Sequence, residues 1–150
     1  MACGCPGSMM RDMRSTSRPE AAAIQGVVSS ELRQWPVQLK LLNPKAPFFK
    51  DADIVVSADC AAFSHGDFHR EFLKGKVLVI FCPKLDDGLD EYVEKLAEIF
   101  RQNTIRSITI VRMEVPCCGG TSRIVEEALA RSGKNILMKE YTVSREGGIV

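Results

Sequence analysis

Three kinds of sequence feature are absent from this chain of 150 residues, and each absence excludes a class of protein. No uninterrupted apolar run approaches the roughly 20 residues of a membrane-spanning helix, and the first residues are small and polar where a secretory signal has an apolar core. The formal net charge is only +1, without a basic stripe for nucleic acid or a membrane surface. No Gly-rich phosphate-loop motif follows a predicted strand. We therefore expect a cytoplasmic protein whose partners include neither nucleic acid nor membrane.

The composition indicates one globular domain preceded by a segment of different character. Hydrophobic residues make up 45% and charged residues 26% of the chain, as is usual for a folded domain. Residues 1–30 are rich in small residues, Arg and Met, and we interpret them as a flexible arm that carries a Cys-x-Cys motif, Cys3 and Cys5. Residues 31–150 then form the predicted α/β domain.

Apolar runs alternate with helical patterns through that domain. Strands are predicted at residues 35–42, 52–58, 76–81, 107–113 and 135–143. Helices are predicted at residues 67–73, 90–102 and 122–132. This alternation favours a three-layer α/β sandwich with a mostly parallel, Rossmann-like sheet of about five strands.

Four cysteines directly follow three of the predicted strands. They are Cys60, Cys82, Cys117 and Cys118. Right-handed crossovers bring the carboxyl ends of such strands to one edge of the sheet, so we expect the four thiols to converge there. Four thiolates are suitable ligands for an iron–sulfur cluster or for tetrahedral zinc, and a reducing compartment disfavours disulfides.

A less specific interpretation stays open for these cysteines. Free cysteine is among the most buried residue types, and any one of the four could be a small core residue. Adjacent side chains normally point different ways, so either Cys117 or Cys118 could face the core. Cys3 or Cys5 could then supply the fourth ligand.

The turn at residues 114–121 lies between a predicted strand and a predicted helix. A helix amino terminus lowers the pKa of a nearby thiol, so a redox enzyme that uses Cys117 or Cys118 is an alternative hypothesis. The backbone N–H groups of Gly119 and Gly120 are expected to hydrogen-bond to cluster sulfur. His65 and His69, four residues apart, are expected to be exposed or capping residues more often than metal ligands.

Several motifs make the chain similar to a known group of proteins. They are ACGCPGS at 2–8, LRQWPVQLKLL at 32–42, ADIVVSADCAAF at 52–63, DFHREFLKGKVLVIFCPKLDD at 67–87 and IRSITIVRMEVPCCGG at 105–120. With these motifs the chain resembles the carboxyl-terminal α/β domain of iron–sulfur proteins of anaerobic bacteria and archaea that are usually labelled 4Fe-4S ferredoxins. The repeated CxxCxxCxxxCP runs of their two-cluster ferredoxin module are missing from this sequence. Either that module was trimmed from the chain, or the chain takes its electrons from a separate ferredoxin.

The resemblance implies a redox protein that holds an iron–sulfur cluster, most simply 4Fe-4S, and transfers electrons with a ferredoxin or a larger redox enzyme. The implied ligands are Cys60, Cys82, Cys117 and Cys118, with Cys3 and Cys5 as further candidates. It implies an electron carrier or redox accessory domain more than a stand-alone enzyme, and it names no catalytic residue. A zinc-stabilised interaction domain is the alternative from another class.

Overall fold

The computed structural model describes residues 6–15, 26 and 28–150 of the chain. Its strands are β1 (Arg11–Asp12), β2 (Gln34–Trp35), β3 (Ala52–Ala58), β4 (Val77–Phe81), β5 (Ile105–Met113) and β6 (Leu137–Val143). Its α-helices are α1 (Ala61–Ser64), α2 (Leu89–Gln102) and α3 (Gly119–Ser132), and a π-helix spans His69–Leu73. Short 3₁₀ turns lie at Pro6–Ser8, Leu39–Leu41, Pro47–Phe49 and Pro116–Cys118.

Four of the strands form a parallel sheet with the order β4-β3-β5-β6. The chain runs from β3 outward to β4, then crosses back over β3 to β5 and continues outward to β6. The direction of winding therefore reverses between β3 and β5. Open α/β sheets bind their ligands in the crevice at such a reversal, outside the carboxyl ends of the strands.

The sheet is buried on both faces because its strands are apolar in both directions. On β3, Ile54 and Val56 pack towards one face and Val55 towards the other. The first face is covered by α2 and α3, which end at Gln102 and Ser132. The second face is covered by α1, the π-helix and neighbouring loops, with Phe68 and Phe72 buried between them and the sheet. The structure is thus a three-layer α/β fold, as predicted.

The prediction of a strand at residues 35–42 was wrong. Gln34–Trp35 pairs with β1 and Gln38 forms a single bridge with Ile80 of β4, whereas Leu39–Leu41 forms a 3₁₀ turn. The main sheet consequently has four strands where about five were expected. The prediction failed because alternating apolar and polar residues indicate only that one side of a segment is buried and the other is exposed. A turn-rich segment on a domain surface also has a buried and an exposed side.

Part of the segment interpreted as an arm is packed against the domain. Residues 6–15 include β1, and Gly7 accepts a hydrogen bond from the indole N–H of Trp35 at 2.7 Å. Arg14 donates to the carbonyl groups of Pro47 and Lys50. The rest of the predicted arm, apart from Gly26 and residues 28–30, lies outside the described residues.

Candidate thiol site

Cysteines follow the carboxyl ends of three adjacent strands of the sheet. Cys60 follows β3 and precedes α1, and Cys82 follows β4 directly. Cys117 and Cys118 belong to the 3₁₀ turn after β5 that leads into α3. Because β4, β3 and β5 are neighbours in that order, all four cysteines lie at one end of the sheet, here called the carboxyl edge. Cys60 and the two cysteines after β5 flank the reversal point.

The loops after β4 and β5 touch each other. A Cβ atom added to Gly120 would lie 2.7 Å from Cβ of Pro83, closer than real Cβ contacts come, and 3.2 Å from Cγ of the same ring. Position 120 therefore requires glycine, because the Pro83 ring leaves no room for a side chain there. This contact brings the residue after Cys82 against the first turn of α3, directly after Cys118.

The four cysteines differ in their exposure to solvent. Cys60 and Cys117 are exposed, Cys82 is partly buried and Cys118 is 5% exposed. Cys118 packs in the core on the same face of the sheet as Val55 and Met113. The expectation that one of the two adjacent cysteines would face the core is met by Cys118.

Cys118 is nevertheless influenced by two of the other thiols. Burial raises the pKa of its thiol, and the charges of Cys117 and Cys60 raise it further, as does a hydrogen bond with the Cys117 side chain. A backbone hydrogen bond from Met113 acts in the opposite direction. Cys117 and Cys60 are therefore near enough to influence the thiol of Cys118. The raised pKa of Cys118 is opposite to the lowered pKa that a nucleophilic thiol at this helix terminus would need.

Acidic and phenolic groups hold the loop that carries Cys82. The carboxylate of Asp86 accepts hydrogen bonds from the backbone N–H of Cys82 at 3.0 Å and from the hydroxyl of Tyr92 at 3.2 Å. Burial and the negative charge of Asp86 raise the pKa of Tyr92 to about 12. The conformation after β4 is thus fixed by a side chain four residues further along.

Two buried polar atoms beside the cysteines have no hydrogen-bond partner within the part of the chain that the structure describes. They are Oδ1 of Asp59 and Oγ1 of Thr121. Burial raises the pKa of Asp59, the charge of Asp86 adds to this, and a hydrogen bond with Gln38 lowers it. Unsatisfied buried polar groups are uncommon in folded proteins, and water, an ion or a ligand group commonly supplies the partner.

Among the described residues, no group of three or more His, Cys, Asp or Glu side chains is arranged to hold a single metal ion. Cys3 and Cys5 lie outside the described residues. The two histidines make protein hydrogen bonds: His65 contacts Gly147 O and Glu71 Oε2, both at 2.8 Å, and Nδ1 of His69 accepts the N–H of Glu31. These bonds use both ring nitrogens of His65 and one ring nitrogen of His69.

We expected the backbone N–H of Gly119 to hydrogen-bond to cluster sulfur. In this structure the same N–H donates to Pro116 O and closes the 3₁₀ turn. The sequence analysis also did not predict that the Asp86 carboxylate accepts the backbone N–H of Cys82. The motif Cys82-Pro83-x-x-Asp86 contained a usable signal, since Asp side chains commonly accept N–H groups in tight turns.

Comparison with known proteins agrees with this architecture. The model of the Rossmann-like domain matches residues 46–150. The chain belongs to this family. A protein of Archaeoglobus fulgidus, named only as uncharacterized, is 34% identical over 119 residues, which cover 79% of this chain and 83% of the relative. No solved structure matches. Within the described residues of this Rossmann-like domain, no helix is both long and apolar enough to cross a membrane.

Proposed function

We propose that this Rossmann-like protein holds an iron–sulfur cluster through Cys60, Cys82, Cys117 and Cys118. We further propose that it is cytoplasmic and exchanges electrons with a ferredoxin or a larger redox enzyme. The observation that carries the proposal is the position of these four cysteines at the ends of three adjacent parallel strands. A parallel sheet places its ligands at this edge, and soft thiolates select iron–sulfur clusters and zinc.

The donor set fits such a group in number and in chemistry. Tetrahedral zinc, with bonds of about 2.3 Å, would draw its sulfur ligands to within roughly 4 Å of one another, whereas a cubane separates them by roughly 6–7 Å. The four cysteines follow three different strands, and the distances between their sulfur atoms would distinguish the two kinds of site. Among the described residues, Oδ1 of Asp59 and Oγ1 of Thr121 have no hydrogen-bond partner; Asp59 is adjacent to Cys60 in the chain and Thr121 is three residues after Cys118.

When bound, an iron–sulfur cluster supplies one-electron redox chemistry whose potential depends on hydrogen bonds and exposure. The chain's own residues determine that environment. Asp86 fixes the backbone at Cys82, and the contact of Pro83 with Gly120 holds the loops after β4 and β5 together. Burial of Cys118 shields one side of the site from water, while Cys60 and Cys117 leave the other side open. Such supporting contacts orient ligands and tune a metal centre.

Two exposed apolar side chains close to the cysteines in the chain suit a protein partner. Phe63 is 93% exposed and Leu85 is 81% exposed, and they follow Cys60 and Cys82 by three residues each. Large apolar side chains exposed beside a functional site are typical of an interaction surface. This supports a proposal in which the redox partner approaches the carboxyl edge.

The direct test is anaerobic production of the whole chain, followed by iron and acid-labile sulfide analysis. We expect roughly four irons and four sulfides per chain, as a cubane cluster requires. Single Cys→Ser variants at the four proposed ligands should each retain less than about half of this iron, because the loss of one ligand weakens cluster binding. Circular dichroism should show that the variants remain folded.

The double variant Cys3→Ser/Cys5→Ser tests whether an amino-terminal cysteine replaces the buried Cys118 as a ligand, which the proposal does not require. Its iron content should equal that of the unmodified chain. Intact protein without iron above background, before and after reconstitution, would refute the proposal. Colourless protein with stoichiometric zinc would support the zinc-stabilised interaction domain instead. One fast-reacting thiol in metal-free protein would favour the thiol enzyme.

A further inference from the structure

A second candidate site lies at the opposite end of the sheet. A cavity of about 430 Å³ is present where β3, β4 and β5 begin, and it includes Ala52, Val77 and Arg106 in its lining. This end of the sheet is here called the amino edge. The size is within the usual range of small-molecule sites, and no part of the proposed thiol site contributes to the lining.

Five cationic side chains line this cavity, and two of them already have partners. Arg14 forms an ion pair with Asp12 at 2.9 Å, and Arg106 forms one with Asp53 at 2.5 Å. The Asp53 carboxylate also accepts a hydrogen bond from Ser107 at 2.6 Å. These groups are neutralised within the protein.

The other three cations have no ion-pair partner among the residues that the structure describes. They are Arg33, Lys74 and Lys76. Two further carboxylates of the lining, Glu31 and Asp51, also lack an ion pair there. The cavity thus has three free positive charges against two negative ones, an excess of one positive charge.

Two turns around the cavity have left-handed backbone conformations. Asp51 has φ +52° and Gly75 has φ +73°, and they lie directly before β3 and between the two free lysines. A non-glycine residue at positive φ is uncommon and persists where the surrounding structure demands it. These turns place Asp51, Lys74 and Lys76 around one opening.

We propose that this cavity binds a small phosphate ester that carries hydroxyl groups, such as a sugar phosphate. Lys74, Lys76 and Arg33 would neutralise the phosphate, which carries more charge than a single carboxylate and suits both the ammonium and the guanidinium donor. Glu31 and Asp51 would accept hydrogen bonds from ligand hydroxyl groups. The site would use cationic side chains, which is consistent with the lack of a glycine-rich phosphate loop in the sequence.

The test is a titration of the intact protein with ribose 5-phosphate, followed by amide chemical shifts in two-dimensional NMR. We expect saturable binding with a Kd below about 1 mM, and shift changes centred on residues 74–77 and 51–53. The double variant Lys74→Gln/Lys76→Gln should bind at least about tenfold more weakly, because two charge-assisted contacts are lost. Ribose without phosphate should show no saturable binding.

The double variant Lys45→Gln/Lys134→Gln is the charge-matched control, because both lysines are exposed and lie outside the cavity. Its affinity should stay within about twofold of the unmodified protein, since only distant screened charges change. Equal weakening in both double variants, or no saturable binding in the unmodified protein, would overturn the proposal. Inorganic phosphate binding as tightly as the ester would overturn the role given to Glu31 and Asp51.

Discussion

At the scale of single residues, the carboxyl edge depends on one pair of neighbouring glycines with different surroundings. A Cβ atom at Gly120 would meet the ring of Pro83, whereas a Cβ atom at Gly119 would meet nothing within 4 Å. Both residues lie in the first turn of α3, so they share the same helical backbone. Only Gly120 is therefore required by packing between the loops that carry Cys82 and Cys118.

Replacing Gly120 by alanine should destabilise the protein. Forcing a methyl group against a proline ring costs about 1–3 kcal/mol, more than the gain of up to about 1 kcal/mol from the better helix former. Urea unfolding should therefore show a lower free energy of unfolding for Gly120→Ala. Gly119→Ala should be neutral or slightly stabilising. Equal effects in the two variants would show that the Pro83 contact does not limit this position.

At the scale of elements, the outer edge of β4 is covered by the Gln34 side chain and a single backbone bridge, not by a full strand. The buried amide of Gln34 donates to Leu78 O at 2.6 Å and accepts from Leu78 N at 3.4 Å. Further along, Ile80 N donates to Val37 O at 2.9 Å. The segment from Gln34 to Gln38 thus satisfies the backbone of β4, which would otherwise be an unpaired edge strand.

The substitution Gln34→Leu keeps a similar side-chain volume but removes both hydrogen bonds to Leu78. The free energy of unfolding should fall by about 1–3 kcal/mol, because a buried donor and a buried acceptor lose their partner. The amide hydrogen of Leu78 should also exchange faster with solvent. Gln102→Leu, at an exposed position near the end of α2, serves as the control and should change stability by less than about 0.5 kcal/mol. Unchanged exchange at Leu78 in Gln34→Leu would contradict this account.

At the scale of the whole molecule, the carboxyl-terminal turn is bound to the segment after β3. Gly147 has φ +94°, and a Cβ atom there would lie 2.5 Å from Ser64 O, so no other residue fits. Its carbonyl group lies 2.8 Å from Nδ1 of His65, and Nε2 of the same ring lies 2.8 Å from Glu71. Two acceptors facing both ring nitrogens favour the protonated imidazole, which has a donor on each nitrogen. The bond with Gly147 and the charge of Glu71 accordingly raise the pKa of His65.

This pKa shift predicts that stability depends on pH. A pKa that is higher in the folded state means that the folded protein binds the proton more tightly than the unfolded chain does. The stabilisation is complete below the unfolded pKa of about 6.5 and is lost as the pH rises through the folded pKa. Urea unfolding between pH 6 and 8 should therefore show stability that falls as the pH rises.

The variant His65→Asn should lose this pH dependence, because its amide N–H can still donate to Gly147 O but does not titrate. His69→Asn is the matched control, since the amide oxygen can replace Nδ1 as the acceptor for Glu31 N. The control should keep the pH dependence. If the pH dependence survives in His65→Asn and disappears in His69→Asn, then His69 is its source and the prediction for His65 is wrong.

The order of elements could be predicted from the sequence because it depends on local patterns. The strand predicted at 52–58 has those bounds in the structure, and α2 begins within one residue of its prediction and ends at the same one. The placement of cysteines after three strands could also be predicted. Runs of apolar residues and helical spacing are properties of neighbouring positions, so they need no knowledge of distant contacts.

Other features were decided only by the tertiary structure. The segment at 35–42 has the alternation of a strand, but its place beside β4 makes part of it a 3₁₀ turn. The contact between Pro83 and Gly120 joins loops separated by 36 residues in the chain, and the cavity at the amino edge combines segments from Arg14 to Arg106. The sequence by itself determined the strands and helices from residue 52 onward and the edge of the sheet at which the thiols lie. Which loops touch, and which cations remain without a partner, depends on long-range packing that no local pattern contains.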